Sequence, residues 1–294
     1  MRLSDRRQMV NYVKTDHCVS ERRACEILSI HRSTYRYQHK EKYALPSYQA
    51  VIDYSQRYDY WGYRKIAPLV QADGHKMGRE QVRIVRAREG LQVPEKRTKR
   101  RRLGLGDMEI DRAEYPGHVW SYDFIFDRTE DGGTLKSLTL VDEYSKVSLD
   151  IICGRSLTGT DVKRSLERVI SIWGAPVCIR SDNGSEFVAR QIKDWLKDNT
   201  IGSYYIDPGC PWQNPFIESF NGIFRTTCLN RWTFLNLDEA RREIARWREE
   251  YNEIRPHGSL AGSSPLQFLR NFRRDNPNFN YMKLPQSLTL KVDQ

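Results

Sequence analysis

No apolar run in these 294 residues approaches the roughly 20 that a membrane-spanning helix needs. The opening stretch, MRLSDRRQMV, lacks the apolar centre of a secretory leader. Both absences argue against an embedded or exported chain, so the expectation is a cytoplasmic protein with no membrane partner. Cysteine is sparse and unpaired: the six residues Cys18, Cys25, Cys153, Cys178, Cys210 and Cys228 include no CxxC. That leaves no disulfide framework, and the thiols are expected to be reduced and mostly buried. Cys18 and Cys25 lie near His17 and His31, but their spacing is not that of a structural zinc site, and no zinc is expected. Acidic residues are scarce in one half only. Positions 1 to 102 hold 24 Lys and Arg against 11 Asp and Glu, a surplus of 13, whereas positions 103 to 294 hold 24 against 27. The first half has the charge of a polyanion-binding region and the second does not.

The chain is long enough for two or three folding units. Residues 1 to 45 read as helices, with Arg2 to about Thr15 followed by a segment that Ser20 can cap, in which Ala24, Ile27 and Leu28 share one face. A break at Ser29-Ile30 precedes the basic segment from Arg32 to Arg36, which is the outline of a helix-turn-helix. A second such unit spans 46 to 95. Its helices start near Gly62 and Arg79, Pro68 is expected to delay or bend the first, and Gly90 to stop the second. Positions 96 to 115 carry Lys96, Arg97, Lys99, Arg100, Arg101 and Arg102 ahead of Leu103-Gly104-Leu105-Gly106. That composition suits a linker that also neutralises phosphates.

From 116 to 272 the pattern changes. Strands are expected at Trp120 to Phe126, Ser137 to Asp142, Val147 to Ile152, Val177 to Arg180 and Ser203 to Ile206. Between the later strands lie amphipathic helices marked by Val162, Leu166, Val169, Ile170 and Trp173, then by Val188, Ile192, Trp195 and Leu196. Three strands followed by helix, strand, helix, strand and helix give an α/β fold, a mixed five-stranded sheet with flanking helices. That order is the one a ribonuclease-H-like fold requires, here preceded by all-α helix-turn-helix units. Residues 273 to 294 form a tail to which no role is assigned.

Three acidic residues stand out within this region. Asp123 interrupts the apolar strand Trp120, Tyr122, Phe124, Phe126, where a carboxylate is costly without a partner. Asp182 falls at the exit of the strand ending Ile179-Arg180-Ser181. Glu218 opens a helix for which Asn214 is a candidate cap and Pro215 the first residue. Glu218, Asn221, Gly222 and Arg225 follow helical spacing, and Phe216, Phe220 and Phe224 form an apolar back to seat the helix. Converging carboxylates repel unless cations lie between them, and hard oxygen ligands suit Mg²⁺ or Mn²⁺. Two such ions are the usual means of promoting in-line displacement at a phosphodiester. Taken singly, Asp182 could simply cap the turn at Asn183-Gly184, and Glu218 could complement a helix N-terminus.

Asp182 and Glu218 are separated by 35 residues, with Asp123 on an upstream strand. This set resembles the aspartate-aspartate-glutamate core of retroviral integrases and many bacterial transposases. The segments Trp120 to Phe124, Ser181 to Phe187, Gln213 to Gly222 and Tyr251 to Leu260 are similar to the second-frame product of IS-three-family insertion sequences. The similarity extends upstream through Tyr60-Trp61-Gly62-Tyr63-Arg64. Members often carry lysine seven residues after the glutamate, where this chain has Arg225, which grips a phosphate differently.

The resemblance implies a DNA transposase that binds the terminal inverted repeats of its element, nicks there and transfers the exposed 3′ hydroxyl to target DNA. Asp123, Asp182 and Glu218 are then both the catalytic residues and the holders of two Mg²⁺ or Mn²⁺ ions. Arg225 and Asn221 are expected to position DNA, and Arg32, Thr34, Arg36, Arg64, Arg83, Arg86 and the basic linker to bind it. His257 is expected to be structural. The partners implied are double-stranded DNA, further copies of the chain on that DNA, and a smaller first-frame product fused to or associated with it, in the bacterial nucleoid. Two rivals differ in class. A repressor with a dead catalytic domain could dispense with the acids, and a ribonuclease-H-type nuclease would not need two helix-turn-helix units.

Overall fold

A computed structural model describes residues 3–36, 45–94, 112–181, 190–205 and 214–280. The chain divides into two compact units, Met1–Gln49 and Ala50–Gln294.

In the first unit, α1 (Leu3–Asp16), α2 (Glu21–Ile27) and α3 (Arg32–Arg36) close around Val10, Ala24, Cys25 and Ile30. Ser20 caps α2 as expected, its hydroxyl accepting from the Arg23 amide. The turn into α3 is made at Ser29, whose φ of 50° lies in the left-handed region. The buried face of α2 differs from the one expected. Ala24 and Cys25 point inward and pack with Val10 of α1, while Ile27 is 55% exposed. Arg7 ties α1 to α3 by donating twice to the Thr34 carbonyl, at 3.0 and 2.6 Å.

The second unit contains a helical trio and a sheet. The trio is the larger part of α4 (Leu45–Arg57), whose first residues fall in the other unit, with α5 (Tyr63–Ala72) and α6 (Arg79–Arg88). Val51, Tyr58, Trp61, Ile66, Val70, Val82 and Val85 are buried, with Tyr58 stacked on Trp61 at 4.2 Å between centroids. Pro68 neither delays nor ends α5, which runs from Tyr63 through Ala72 with the proline inside it. Gly90 stands just past α6 with a φ of 68°, the left-handed turn that a side chain would resist.

Among the described residues five strands form one sheet: β1 (Val119–Arg128), β2 (Thr134–Asp142), β3 (Ser148–Gly154), β4 (Cys178–Ser181) and β5 (Gly202–Tyr205), in the order β3-β2-β1-β4-β5. β1, β2 and β3 are antiparallel, whereas β4 runs parallel to β1 and β5 parallel to β4. This is the mixed five-stranded arrangement expected of a ribonuclease-H-like fold. The helices are α7 (Gly159–Trp173), α8 (Arg190–Asp198), α9 (Pro215–Thr227), α10 (Leu237–Glu253) and α11 (Pro265–Asp275).

Strand alternation sorts the helices onto two faces. Trp120, Tyr122, Leu138 and Leu140 face one core with Val162, Leu166 and Val169 of α7, Ile192 and Leu196 of α8, and Leu266 and Leu269 of α11. Ile125, Leu135 and Val141 face the other, with Ile217, Phe220 and Phe224 of α9 and Ile244, Trp247 and Tyr251 of α10. Each fully buried side chain of this size contributes about 1.5–3 kcal/mol. Asp123 shares its side of β1 with Ile125, so it faces α9. Of the five cysteines described, Cys25, Cys153, Cys178 and Cys228 are buried, Cys18 is exposed, and all are free thiols. Among the described residues no helix is long and apolar enough to cross a membrane.

Candidate active site

Asp123 lies at the middle of β1, opposite Thr139 of β2, and is half-buried. Its Oδ1 accepts from the Phe124 amide at 2.7 Å and its Oδ2 from Asn221 Nδ2 at 2.9 Å. Thr139 completes the arrangement. Its hydroxyl contacts Asn221 Oδ1 at 2.8 Å and the Asp123 carbonyl at 3.1 Å. A carboxamide has a donor end and an acceptor end. With the hydroxyl donating to Oδ1, the NH₂ end is the one turned toward the carboxylate.

Asn221, half-buried, therefore holds Asp123, with its carboxamide engaged at both ends. The same bond fixes where Glu218 stands. Glu218 lies one turn before Asn221, and residues three apart share a helix face, so α9 presents it on the side that meets β1. Glu218 is solvent-exposed, although the protein around it still pushes its carboxyl above the ordinary glutamate range.

The local sequence seats α9 somewhat differently from the expectation. Pro215 is its first residue, but the Asn214 side chain makes no capping bond, and its Oδ1 is buried without a partner among the described residues. The apolar back is Ile217, Phe220 and Phe224. Phe216 is only half-buried and instead carries the Lys146 ammonium 4.0 Å above its ring. Arg225 spends one guanidinium N–H on the Phe126 carbonyl at 2.9 Å.

Asp182 lies outside the described residues, as do Lys96, Arg97, Lys99, Arg100, Arg101 and Arg102. The last described residue before Asp182 is Ser181, the end of β4. The parallel pairs Val119↔Cys178, Trp120↔Ile179 and Ser121↔Arg180 lay β4 alongside the part of β1 that precedes Asp123. Glu143 clamps that pair from beneath: Ser121 Oγ donates to its Oε1, and Arg180 Nη1 lies 3.6 Å from the same oxygen. Burial raises the Glu143 carboxyl, while Ser121 and Arg180 pull it back. No periodic signal marks Glu143 or Thr139, because each acts through residues distant in the chain.

Among the described residues no three His, Cys, Asp or Glu gather as a metal-holding group. Asp123 and Glu218 supply the hard oxygen donors that Mg²⁺ or Mn²⁺ prefer. That donor chemistry fits a divalent cation.

Most of the other expected DNA contacts are exposed. Arg32 and Arg36 lie 3.4 and 2.8 Å from Glu21, Arg83 pairs with Glu80 at 2.5 Å, and Arg64 contacts the Tyr63 hydroxyl at 3.3 Å. Thr34 is half-buried. Arg86 is a correction. It is 2% exposed and donates to the carbonyls of Trp61 at 2.5 Å and Leu91 at 2.6 and 3.0 Å, so it braces the helical trio from within.

Integrase core domain models match residues 113–211 and 199–265. The chain is 34% identical over 256 residues to a 31.7-kDa protein of insertion element IS407 from Burkholderia multivorans, covering 87% of this chain and 92% of that one. Transposase InsF of insertion sequence IS3A from Escherichia coli is 23% identical over 53% of this chain and 55% of its own length. Among solved structures, a simian T-cell lymphotropic virus intasome in complex with PP2A regulatory subunit B56 gamma matches with a TM-score of 0.50 at 16% identity, over 73% of each chain. The fold and site thus define the integrase-core class. Within it, the chain belongs to the insertion-sequence transposases of the aspartate-aspartate-glutamate superfamily.

Proposed function

We propose that this transposase binds the terminal inverted repeats of its insertion sequence, nicks there and joins the freed 3′ hydroxyl to target DNA. The observation that carries the reading is the bond from Asn221 to Asp123, which brings the Glu218 face of α9 against the strand bearing Asp123. Asp182 is the proposed third member. The three acids would hold two Mg²⁺ or Mn²⁺ ions, with no zinc in the protein. Such a pair, when bound, supplies the activation of attacking oxygen and the stabilisation of leaving oxygen in phosphodiester displacement.

The protein's own residues prepare that chemistry. Asn221 and Thr139 fix the rotamer of Asp123, so the carboxylate needs no reorganisation when cation and DNA arrive. Glu143 holds the ends of β1 and β4 together through Ser121 and Arg180. Glu218, being exposed, is free to adjust. The basic segments at Arg32 to Arg36 and Lys96 to Arg102, with Arg64, Arg83 and Arg225, are the proposed contacts to double-stranded DNA, and several copies would assemble there. Work in the bacterial nucleoid and a fusion or association with the first-frame product belong to the same reading.

The test is strand transfer of a labelled element end into a target plasmid, comparing wild type with Asp182→Asn in Mg²⁺. Joined product from wild type alone is expected. Binding without nicking would favour a repressor, and nicking without joining a nuclease. Equal joining by both proteins would remove Asp182 from the site.

A further inference from the structure

Glu218 lies in the first turn of α9, the part of a helix held least firmly by the helix itself, because its leading amides have no partner there. The local sequence adds little: Asn214 makes no side-chain capping bond, and the bond from the Glu218 amide to the Asn214 carbonyl is 3.3 Å long. Asn221 ties the helix to Asp123 three residues further on. Ahead of the glutamate, Ile217 reaches the core, but Phe216 is only half-buried. The face of its ring is covered by the Lys146 ammonium, 4.0 Å from the ring centre.

Lys146 belongs to the turn between β2 and β3, and that turn is built to hold it. Its φ of 63° is left-handed, a conformation that a residue with a side chain keeps only where its surroundings impose it. Buried Asp142 fixes the turn by accepting from the Gly117 amide at 2.7 Å and from the Ser145 amide and hydroxyl at 2.7 and 2.6 Å. The Lys146 amide donates to the Asp142 carbonyl at 3.0 Å, and its Nζ to the Glu143 carbonyl at 2.5 Å. Burial draws the ammonium below the ordinary lysine range, while Glu143 and Asp142 hold it up. Beyond the Glu143 carbonyl, the ring of Phe216 gives the charge a second partner. The helix dipole does not explain that position, since a cation is unfavourable beside a helix N-terminus. Glu143 is also the residue whose carboxylate grips Ser121 of β1 and Arg180 of β4, so the turn is tied to both strands.

We propose that Lys146 is a positioning residue for Glu218: clamped between the Glu143 carbonyl and the Phe216 ring, its ammonium fixes the first turn of α9 against the strand that carries Asp123. Two anchors then bracket the glutamate. Asn221 holds the helix from three residues after it, and Lys146 from two residues before. The carboxylate stays free to turn toward a cation, while the backbone that carries it does not drift. Acids that share cations tolerate little displacement, so the support of their backbone matters as much as their identity. This role rests on the reading of Glu218 as a holder of the divalent ions.

The test begins with hydrogen exchange on the full chain without metal. Lys146→Met keeps the length of the side chain and removes its charge. In it the Glu218 amide should exchange about 5–10-fold faster, and the Phe224 amide at its wild-type rate. Phe216→Leu should show the same pattern, whereas Phe216→Tyr, which keeps the ring, should not. Combining Lys146→Met with Phe216→Leu should be no worse than either alone, because both cut one contact. In strand transfer of a labelled element end, each of those two single variants should raise the Mg²⁺ midpoint by about tenfold, and Phe216→Tyr should match wild type. Unchanged Glu218 exchange in both variants overturns the latch. Faster exchange throughout α9 marks a general loss of stability and overturns it too, as do additive effects in the double variant. Faster Glu218 exchange with an unmoved Mg²⁺ midpoint overturns the positioning of the acid. If wild type joins no DNA, the transposase reading fails, and the exchange pattern still decides whether Lys146 holds the turn.

Discussion

Two polar clusters in the same compact unit are completed to different degrees. Around Asp123, the carboxylate, the Thr139 hydroxyl and the Asn221 amide each find partners inside the fold. At the junction of α5 with the loop after α10, Arg255, His257 and Trp61 each keep a buried nitrogen unpartnered among the described residues. The residues around Asp123 are wired internally to hold one geometry, whereas the buried nitrogens at the junction carry a desolvation cost that no hydrogen bond among the described residues offsets.

The largest effect should come from cutting the wired cluster. Thr139→Val keeps the branched shape but loses the hydroxyl that orients Asn221. Activity should fall about 10–100-fold, with a higher Mg²⁺ midpoint, as is usual when the support of a metal-holding side chain is removed. Thr139→Ser should restore most of it. Metal titrations of strand transfer read both, and an unchanged Mg²⁺ midpoint in Thr139→Val would show that Asp123 needs no such support.

The junction should respond to acid instead. His257 is held neutral, first by burial and then by Arg255, Lys65 and Lys146, with its value drawn from 6.5 down to about 3. Between those values the unfolded chain binds more protons than the folded one, so stability is full above about 6.5 and is lost as pH falls toward 3. Replacing the imidazole in His257→Gln should flatten that acid limb by on the order of 2 kcal/mol. Denaturant melts from pH 7 to 4 measure it. Superimposable curves would mean that the ring is as well solvated folded as unfolded, and the contrast between the clusters would weaken.

The smallest effect belongs to the exposed face of the first unit, where Arg32 and Arg36 share Glu21. Glu21→Gln should leave the denaturation midpoint unchanged, because solvent and salt screen such pairs. A clear drop would show that this face is built as tightly as the Asp123 cluster.

Much of the sheet could be read before any coordinates. The apolar alternation from Trp120 to Phe126 marks β1, and the stripe Val162, Leu166, Val169, Trp173 marks α7. The readings that failed depended on what lay across from a residue. Ile27 shares helical spacing with Ala24, yet α1 selects Cys25 for the interior. Arg86 looks in sequence like any arginine on a basic helix. Only the carbonyls of Trp61 and Leu91 make it an internal brace. Asn221 was visible as a neighbour of Glu218, but not as the partner of Asp123.

The sequence by itself determined the order of strands and helices, the identity of the candidate acids and the basic character of the first hundred residues. These follow from side-chain periodicity, caps and composition, which are properties of short stretches. Tertiary structure alone decided which polar groups meet. Asn221 reaches Asp123 across 98 positions, Thr139 reaches Asn221 across 82, and Lys65 reaches Pro256 across 191. Such pairings depend on which faces pack together and at what depth. No local pattern carries that information, because a hydrogen bond is specified by the positions of both partners and not by either residue alone.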